Sequence, residues 1–134
     1  MKLAPYLFFD GRAEEAIEFY GRVLGDKVER MMRFKDNPSP SMNPPGSENK
    51  VMHASIHIGD SVLLLSDGKC AGKPEFRGFA VTLYVADDAE AESKFKGLSD
   101  GGRVEMPLNK TFFASKFGMV ADRFGVVWMV IVAS

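Results

Sequence analysis

The spacing of apolar residues changes several times along this chain, and each change marks an element. Residues 3–9 (Leu-Ala-Pro-Tyr-Leu-Phe-Phe) are aromatic and apolar and end at the turn pair Asp10-Gly11, which predicts a strand. Ala13, Ala16, Ile17, Tyr20, Val23 and Leu24 then recur at helical spacing, with Glu14, Glu15, Glu18 and Arg22 on the other face. The two early glutamates suit the positive end of a helix dipole, and Gly25 is placed to stop the helix. A strand over 27–34 follows. Residues 51–58 and 61–67 flank Gly59-Asp60, the pattern of a hairpin with a two-residue turn. Beyond a polar connector (68–77), residues 79–86 predict another strand. Asp87-Asp88 then opens a helix to about Leu98, with Ala89, Ala91 and Phe95 as its apolar stripe, and Gly101-Gly102 ends it. Strands are predicted again over 103–108, about 117–121 and 126–132, the last two joined by Asp122-Arg123-Phe124-Gly125.

The order strand, helix, strand, strand, strand therefore occurs twice, over about 1–68 and 77–134, an internal repeat of pattern with little residue identity. Neither half alone buries enough surface to be stable, so the expectation is one domain over 1–134 in which the two sheets combine. Residues 35–50 interrupt the first half with four prolines and several small polar residues. No regular element is expected there, only a mobile surface loop or a functional flap.

Alternation within the strands separates two faces. In 51–58 the even positions (Met52, Ala54, Ile56, Ile58) are apolar, and the odd positions include His53, Ser55 and His57. In 79–85 the odd positions are Phe79, Val81, Leu83 and Val85, leaving Thr82 and Tyr84 opposite. If the apolar sets meet the helices, His53, Ser55, His57, Thr82 and Tyr84 share the other face, where a ligand would sit. Such a face is also often merely wet. Two histidines four apart on a strand still lack a third metal ligand at recognisable spacing, so no metal site is predicted. Between 104 and 119, Phe112-Phe113 with Lys110 and Lys116 reads either as a loop with anchoring aromatics or as an aromatic wall with a cationic anchor for a neutral or anionic ligand. Trp128 is core or the floor of that pocket. Asp67 and Asp122 close strands at turns, where aspartate commonly makes local hydrogen bonds.

Composition narrows the function classes. Seventeen basic and 18 acidic residues give a net charge of -1, and no basic run tracks a phosphate backbone, so nucleic acid is an unexpected partner. The longest apolar run, 126–133, is strand-sized and far short of a membrane span. Residues 1–6 lack the features of a secretory signal, and a single cysteine, Cys70, fits a reducing cytoplasm. Cys70 has Lys69 and Lys73 nearby but no base placed by sequence to activate it. Glycine-rich phosphate loops and nucleophile elbows are absent.

Residues 5–20 (Pro-Tyr-Leu-Phe-Phe-Asp-Gly-Arg-Ala-Glu-Glu-Ala-Ile-Glu-Phe-Tyr), Val51-Met52-His53-Ala54, Ile58-Gly59-Asp60, Met106-Pro107-Leu108, Thr111-Phe112-Phe113-Ala114, Phe117-Gly118, and Asp122-Arg123-Phe124-Gly125-Val126 with Trp128 together resemble the PhnB-like branch of the vicinal oxygen chelate superfamily. That superfamily includes glyoxalase I, bleomycin-resistance proteins and extradiol dioxygenases. The resemblance spans nearly the whole chain. It implies an α+β fold of paired βαβββ modules forming an open, cup-shaped mixed sheet with helices on the outer face, usually as a homodimer. Metal-dependent relatives carry four His, Gln or Glu ligands, which by this resemblance fall near Pro5, Leu65, Ala80 and Met129. None of these coordinates a hard divalent cation. Branch members are often labelled ubiquinone-related methyltransferases, yet nothing here resembles a glycine-rich site for S-adenosylmethionine.

The expected function is thus a cofactor-free, metal-independent small-molecule binding protein, its ligand contacted by Tyr6, His53, Ser55, Thr82, Tyr84, Phe113, Lys116 and Trp128. The alternatives are an isomerase, lyase or hydrolase of the same fold with His53 as general base, and a structural or regulatory dimer without a small ligand.

Overall fold

The computed structural model describes residues 1–70 and 72–133. The chain divides into two compact units, Met1–Pro74 and Glu75–Ser134. The first contains β1 (Tyr6–Phe8), α1 (Ala13–Leu24), β2 (Lys27–Arg33), β3 (Val51–Ile58) and β4 (Ser61–Ser66). The second contains β5 (Val81–Tyr84), α2 (Asp88–Ser99), β6 (Arg103–Asn109), β7 (Ala114–Ala121) and β8 (Val127–Ala133). Each unit is one βαβββ repeat, built as an open four-stranded sheet in the order β1-β4-β3-β2 or β5-β8-β7-β6. In both sheets the first strand runs parallel to the last, and the other pairs are antiparallel.

Helix α1 has the predicted limits, and Gly25 ends it in the left-handed conformation (φ +72°), its N–H donating to the Gly21 carbonyl. Phe19 is buried along with Ala13, Ala16, Ile17, Tyr20 and Leu24 of the predicted stripe, whereas Val23 is only half-buried. In α2 the buried positions are Ala91, Phe95 and Leu98, whereas Ala89 is exposed; the stripe sits one turn further along than expected. Asp87 caps this helix, accepting a hydrogen bond from the Glu90 N–H at 2.8 Å. Close docking of α2 requires Gly118 on β7, because a Cβ there would come within 2.7 Å of the Phe95 ring.

Residues 35–50 differ from expectation. Phe34–Asp36 and Pro40–Met42 form short 3-10 turns. Asparagine side chains supply the hydrogen bonds that prolines deny the backbone: Asn43 Nδ2 donates to the Phe34 carbonyl at 2.7 Å and Asn37 Nδ2 to Asn43 Oδ1 at 2.8 Å. Arg33 fastens the return of the segment. Its guanidinium donates to both carboxylate oxygens of Glu14 on α1 and to the Asn49 carbonyl.

Asp67 does more than close a strand. It is 2% exposed, and Oδ1 accepts from the Gly11 and Ala13 N–H groups at 2.7 and 2.8 Å while Oδ2 accepts from the Val51 N–H at 2.9 Å. The helix start, which has no side-chain cap of its own, is thereby joined to the start of β3. In the second unit a buried aspartate, Asp122, sits instead in the β7–β8 turn. Oδ1 accepts from the Phe124 and Val126 N–H groups and Oδ2 from the Trp128 indole N–H at 2.9 Å. Replacing Asp67 by Ala strands three backbone donors, and a loss of roughly 3–5 kcal/mol is expected in urea denaturation. Asp67→Asn keeps one accepting oxygen and should cost less.

Asp26, at the α1–β2 junction, has the opposite character. Its Oδ2 is buried without a hydrogen-bond donor among the described residues. Burial raises its pKa from the ordinary 3.8 to about 6. The folded state therefore holds a proton that the unfolded chain releases, and stability falls as pH rises through the window between those values. Asp26→Asn should flatten this fall and raise stability at neutral pH by about 1 kcal/mol, solvent screening having reduced the full effect. Denaturation midpoints measured across that window test the expectation.

Candidate functional site

Paired residues on neighbouring strands share a face, so the register sorts the side chains. On the first sheet Leu7, Ala54, Ile56, Leu63 and Leu65 are buried on one face. The opposite, open face carries Tyr6 and Phe8 from β1, Leu64 and Ser66 from β4, and His53, Ser55 and His57 from β3. The predicted separation of the β3 histidines from the apolar set follows this register.

The open face is organised at two places. Near β1, the Tyr6 hydroxyl lies 2.8 Å from His53 Nδ1. The Tyr6 and Phe8 rings stack at 5.0 Å and 18°. Burial raises the Tyr6 pKa, an effect that the nearby Ser66 side chain only partly offsets, so the phenol keeps its proton. Towards the β2 edge, Ser55 Oγ donates to Glu29 Oε2 at 3.2 Å, and His57 Nε2 stands 3.1 Å from the same oxygen. Glu29 is an open-face residue that alternation did not find. A bulge between Val28 and Arg30 brings it to this face, and the apolar-polar pattern of β2 carries no signal of the extra residue.

On the second sheet, Trp128 and Val130 of β8 pair with Val81 and Leu83 of β5, and Thr82 and Tyr84 lie opposite with Met129 and Ile131. The Thr82 hydroxyl donates to Met129 Sδ at 3.8 Å, and Tyr84 is 77% exposed. Phe113 packs edge-on against Phe117 at 5.2 Å. Two expected ligand contacts stand elsewhere. Trp128 is fully buried, its indole held by Asp122. Lys116 pairs with Val132 on the helix-bearing face, where its Nζ is 3.9 Å from Glu92 of α2. The bulge between Ala114 and Lys116 separates it from the aromatic wall that its sequence position suggested. Cys70 adopts φ +53°, and burial raises its pKa, the reverse of activation.

Three of the four positions that the resemblance gives for metal ligands do not stand on the open face. Leu65 is buried on the helix-bearing face, and Pro5 and Ala80 precede their strands; Met129 alone of the four faces the open side. The open-face pairs are instead Tyr6 with Leu64 and Thr82 with Met129. A phenol, an isobutyl group, a hydroxyl and a thioether do not fit a hard divalent cation. Among the described residues no group of three or more His, Cys, Asp or Glu is arranged to hold a metal. Among the described residues no helix is long and apolar enough to cross a membrane.

Two βαβββ repeats with open mixed sheets define the glyoxalase-type fold. A glyoxalase-related enzyme from Fulvimarina pelagi shares it at 19% identity and a TM-score of 0.66, over 98% of this chain and 87% of that one. A family model described as 3-demethylubiquinone-9 3-methyltransferase matches residues 1–131, and the chain belongs to this family. Protein YjdN of Escherichia coli is 34% identical over 97% of this chain and 94% of its own. The crystal structure of protein PA1353 from Pseudomonas aeruginosa is 41% identical, with a TM-score of 0.88 over 99% of this chain and 98% of that one. A putative 3-demethylubiquinone-9 3-methyltransferase, PhnB protein, from Bacillus cereus is 26% identical, with a TM-score of 0.83 over 99% and 100% of the two chains.

The placements of Trp128 and Lys116 make contrasting demands. Trp128→Phe removes a buried donor from Asp122 and leaves a small cavity, so a loss of about 2–3 kcal/mol is expected. Lys116→Ala should stay within about 0.5 kcal/mol of wild type in the same urea titration, because its ion pair is long and partly solvated.

Proposed function

We propose that the protein binds a small molecule, without a metal, on the open face of the first sheet around Tyr6, Phe8, His53 and Ser66. The observation that carries this reading is the Tyr6–His53 hydrogen bond beside a stacked aromatic pair. Such a combination of flat apolar surface and a few fixed polar atoms suits a planar ligand. The Glu29–His57 pair, half-exposed towards the β2 edge, has no aromatic stack beside it comparable to Tyr6–Phe8. Thr82, Tyr84 and Phe113 are candidate ligand contacts of the second unit taken by itself.

The methyl transfer named in the family description is not part of the proposal. The sequence has no glycine-rich strand-to-helix turn to cradle S-adenosylmethionine. A homodimer and a cytoplasmic location complete the reading. Its support is β5, an edge strand without charge, proline or bulge, and the lone cysteine. Light scattering on the purified chain tests the dimer.

Protein purified without a histidine tag is expected to carry no stoichiometric metal, and Zn, Ni, Mn and Fe(II) should leave its melting temperature unchanged. Neutral and anionic aromatic molecules should include some that raise it, with affinity falling about tenfold in His53→Ala. A stoichiometric metal would overturn the metal-independent reading and bring His53 and His57 forward as ligands.

A further inference from the structure

A row of sulfur crosses the second sheet. The register pairs Met106 of β6 with Met119 of β7, Met119 with Met129 of β8, and Met129 with Thr82 of β5. Four residues on four neighbouring strands therefore stand side by side on the open face. Three of the chain's eight methionines occupy successive strands of this row. Met119 and Met129 are half-buried and Met106 is 46% exposed, so the thioethers line a surface rather than fill the core. Directly paired side chains stand about 4.5–5.5 Å apart at Cβ. Methionine has three rotatable bonds, which lets the outer two sulfurs close on that of Met119.

The Thr82 hydroxyl donates to Met129 Sδ at 3.8 Å, holding one sulfur at the β5 end and leaving it a second lone pair. Phe117, two residues before Met119 on the same face, adds ring carbon beside the row, with Phe113 packed on it. Arg103 and Glu105, the charged neighbours of Met106 along β6, pair with each other at 2.7 Å. The row itself holds no carboxylate, imidazole or thiolate. Uncharged thioethers are poor ligands for hard divalent cations and good ones for soft Cu(I). We propose that Met106, Met119 and Met129 form a site for a soft monovalent cation, Cu(I), on the open face of the second sheet. The metal keeps its oxidation state, and no proton leaves, because a thioether has none to lose. Neutral donors leave the charge of the ion uncompensated, so the site exchanges it readily and purified protein comes without it. None of these residues belongs to the binding reading on the first sheet, and the proposal does not depend on it.

Ag(I), a redox-inert ion of the same class, is the first probe. The full chain, labelled with carbon-13 at the methionine methyl groups, is titrated with silver nitrate in chloride-free buffer. A Cys70→Ser background removes the competing thiol. Single methionine-to-leucine substitutions assign the eight signals. At one equivalent those of Met106, Met119 and Met129 should move together and saturate, while Zn(II) moves none. Thioethers do not titrate, so affinity should be unchanged between pH 8 and pH 5, whereas imidazole or thiolate ligation weakens on acidification. In anaerobic competition with a colorimetric chelator, Met119→Leu should weaken Cu(I) binding about tenfold or more, and Met31→Leu, an exposed position outside the row, should not. Circular dichroism establishes that Met119→Leu is folded; if it is not, Met106→Leu at the exposed end of the row decides. Methyl signals that drift singly without saturating would show adventitious silver at exposed sulfur and overturn the proposal. Unchanged affinity in the folded row variant overturns it as well. So does an affinity that collapses at pH 5, which would assign the ion to histidine.

Discussion

A buried carboxylate organises each repeat. A lone charge inside a protein is costly unless its lone pairs are filled, and Asp67 and Asp122 each gather three N–H donors. The donors are themselves groups that the fold would otherwise leave orphaned. For Asp67 they are the first amides around α1 and the first amide of β3. Satisfying both sides at once fixes where the helix begins relative to the sheet. It also sets which β1 residues reach the open face, and so where Tyr6 meets His53.

The two repeats use this scheme differently. Asp67 reaches far along the chain to a helix, whereas Asp122 serves its own turn and the indole of Trp128. The open faces have diverged further. The first holds a phenol, imidazoles, serines and a carboxylate in defined hydrogen bonds. The second is dominated by methionine and aromatic carbon, with Thr82 bonded to a thioether. A shared architecture thus carries one polar face and one soft apolar face, which is why the proposed site is assigned to the first.

Elements whose causes are local were legible in the sequence. Gly25 as a helix stop, Gly59-Asp60 as a hairpin turn and the alternation in 51–58 each depend on neighbours within a few residues, and each is found where the pattern placed it. What the pattern missed depends on partners remote in sequence or on an added residue in a strand. Glu29 reaches the open face through one bulge, and Lys116 stands apart from the aromatic wall beside another. Period-two reasoning has no means of anticipating either. Trp128 was ambiguous because an indole suits a pocket floor and a core equally well; its partner Asp122 decides the matter. The 3-10 turns within 34–43 are single backbone turns in a proline-rich run, too short to leave a periodic pattern, and are braced by asparagine side chains remote from them in the segment.

The distance along the chain between Ala13 and its acceptor has a consequence for synthesis. The helix emerges from the ribosome early, with an amphipathic sequence but no cap, and the carboxylate that completes its first turn arrives 54 residues later. Loop closure over such a span is slow compared with helix formation, so α1 is expected to flicker rather than persist during that interval. Once residue 67 is available, the helix start, β3 and β4 become mutually dependent. The first repeat should then form as a single cooperative event, with translation itself setting the moment at which that event becomes possible.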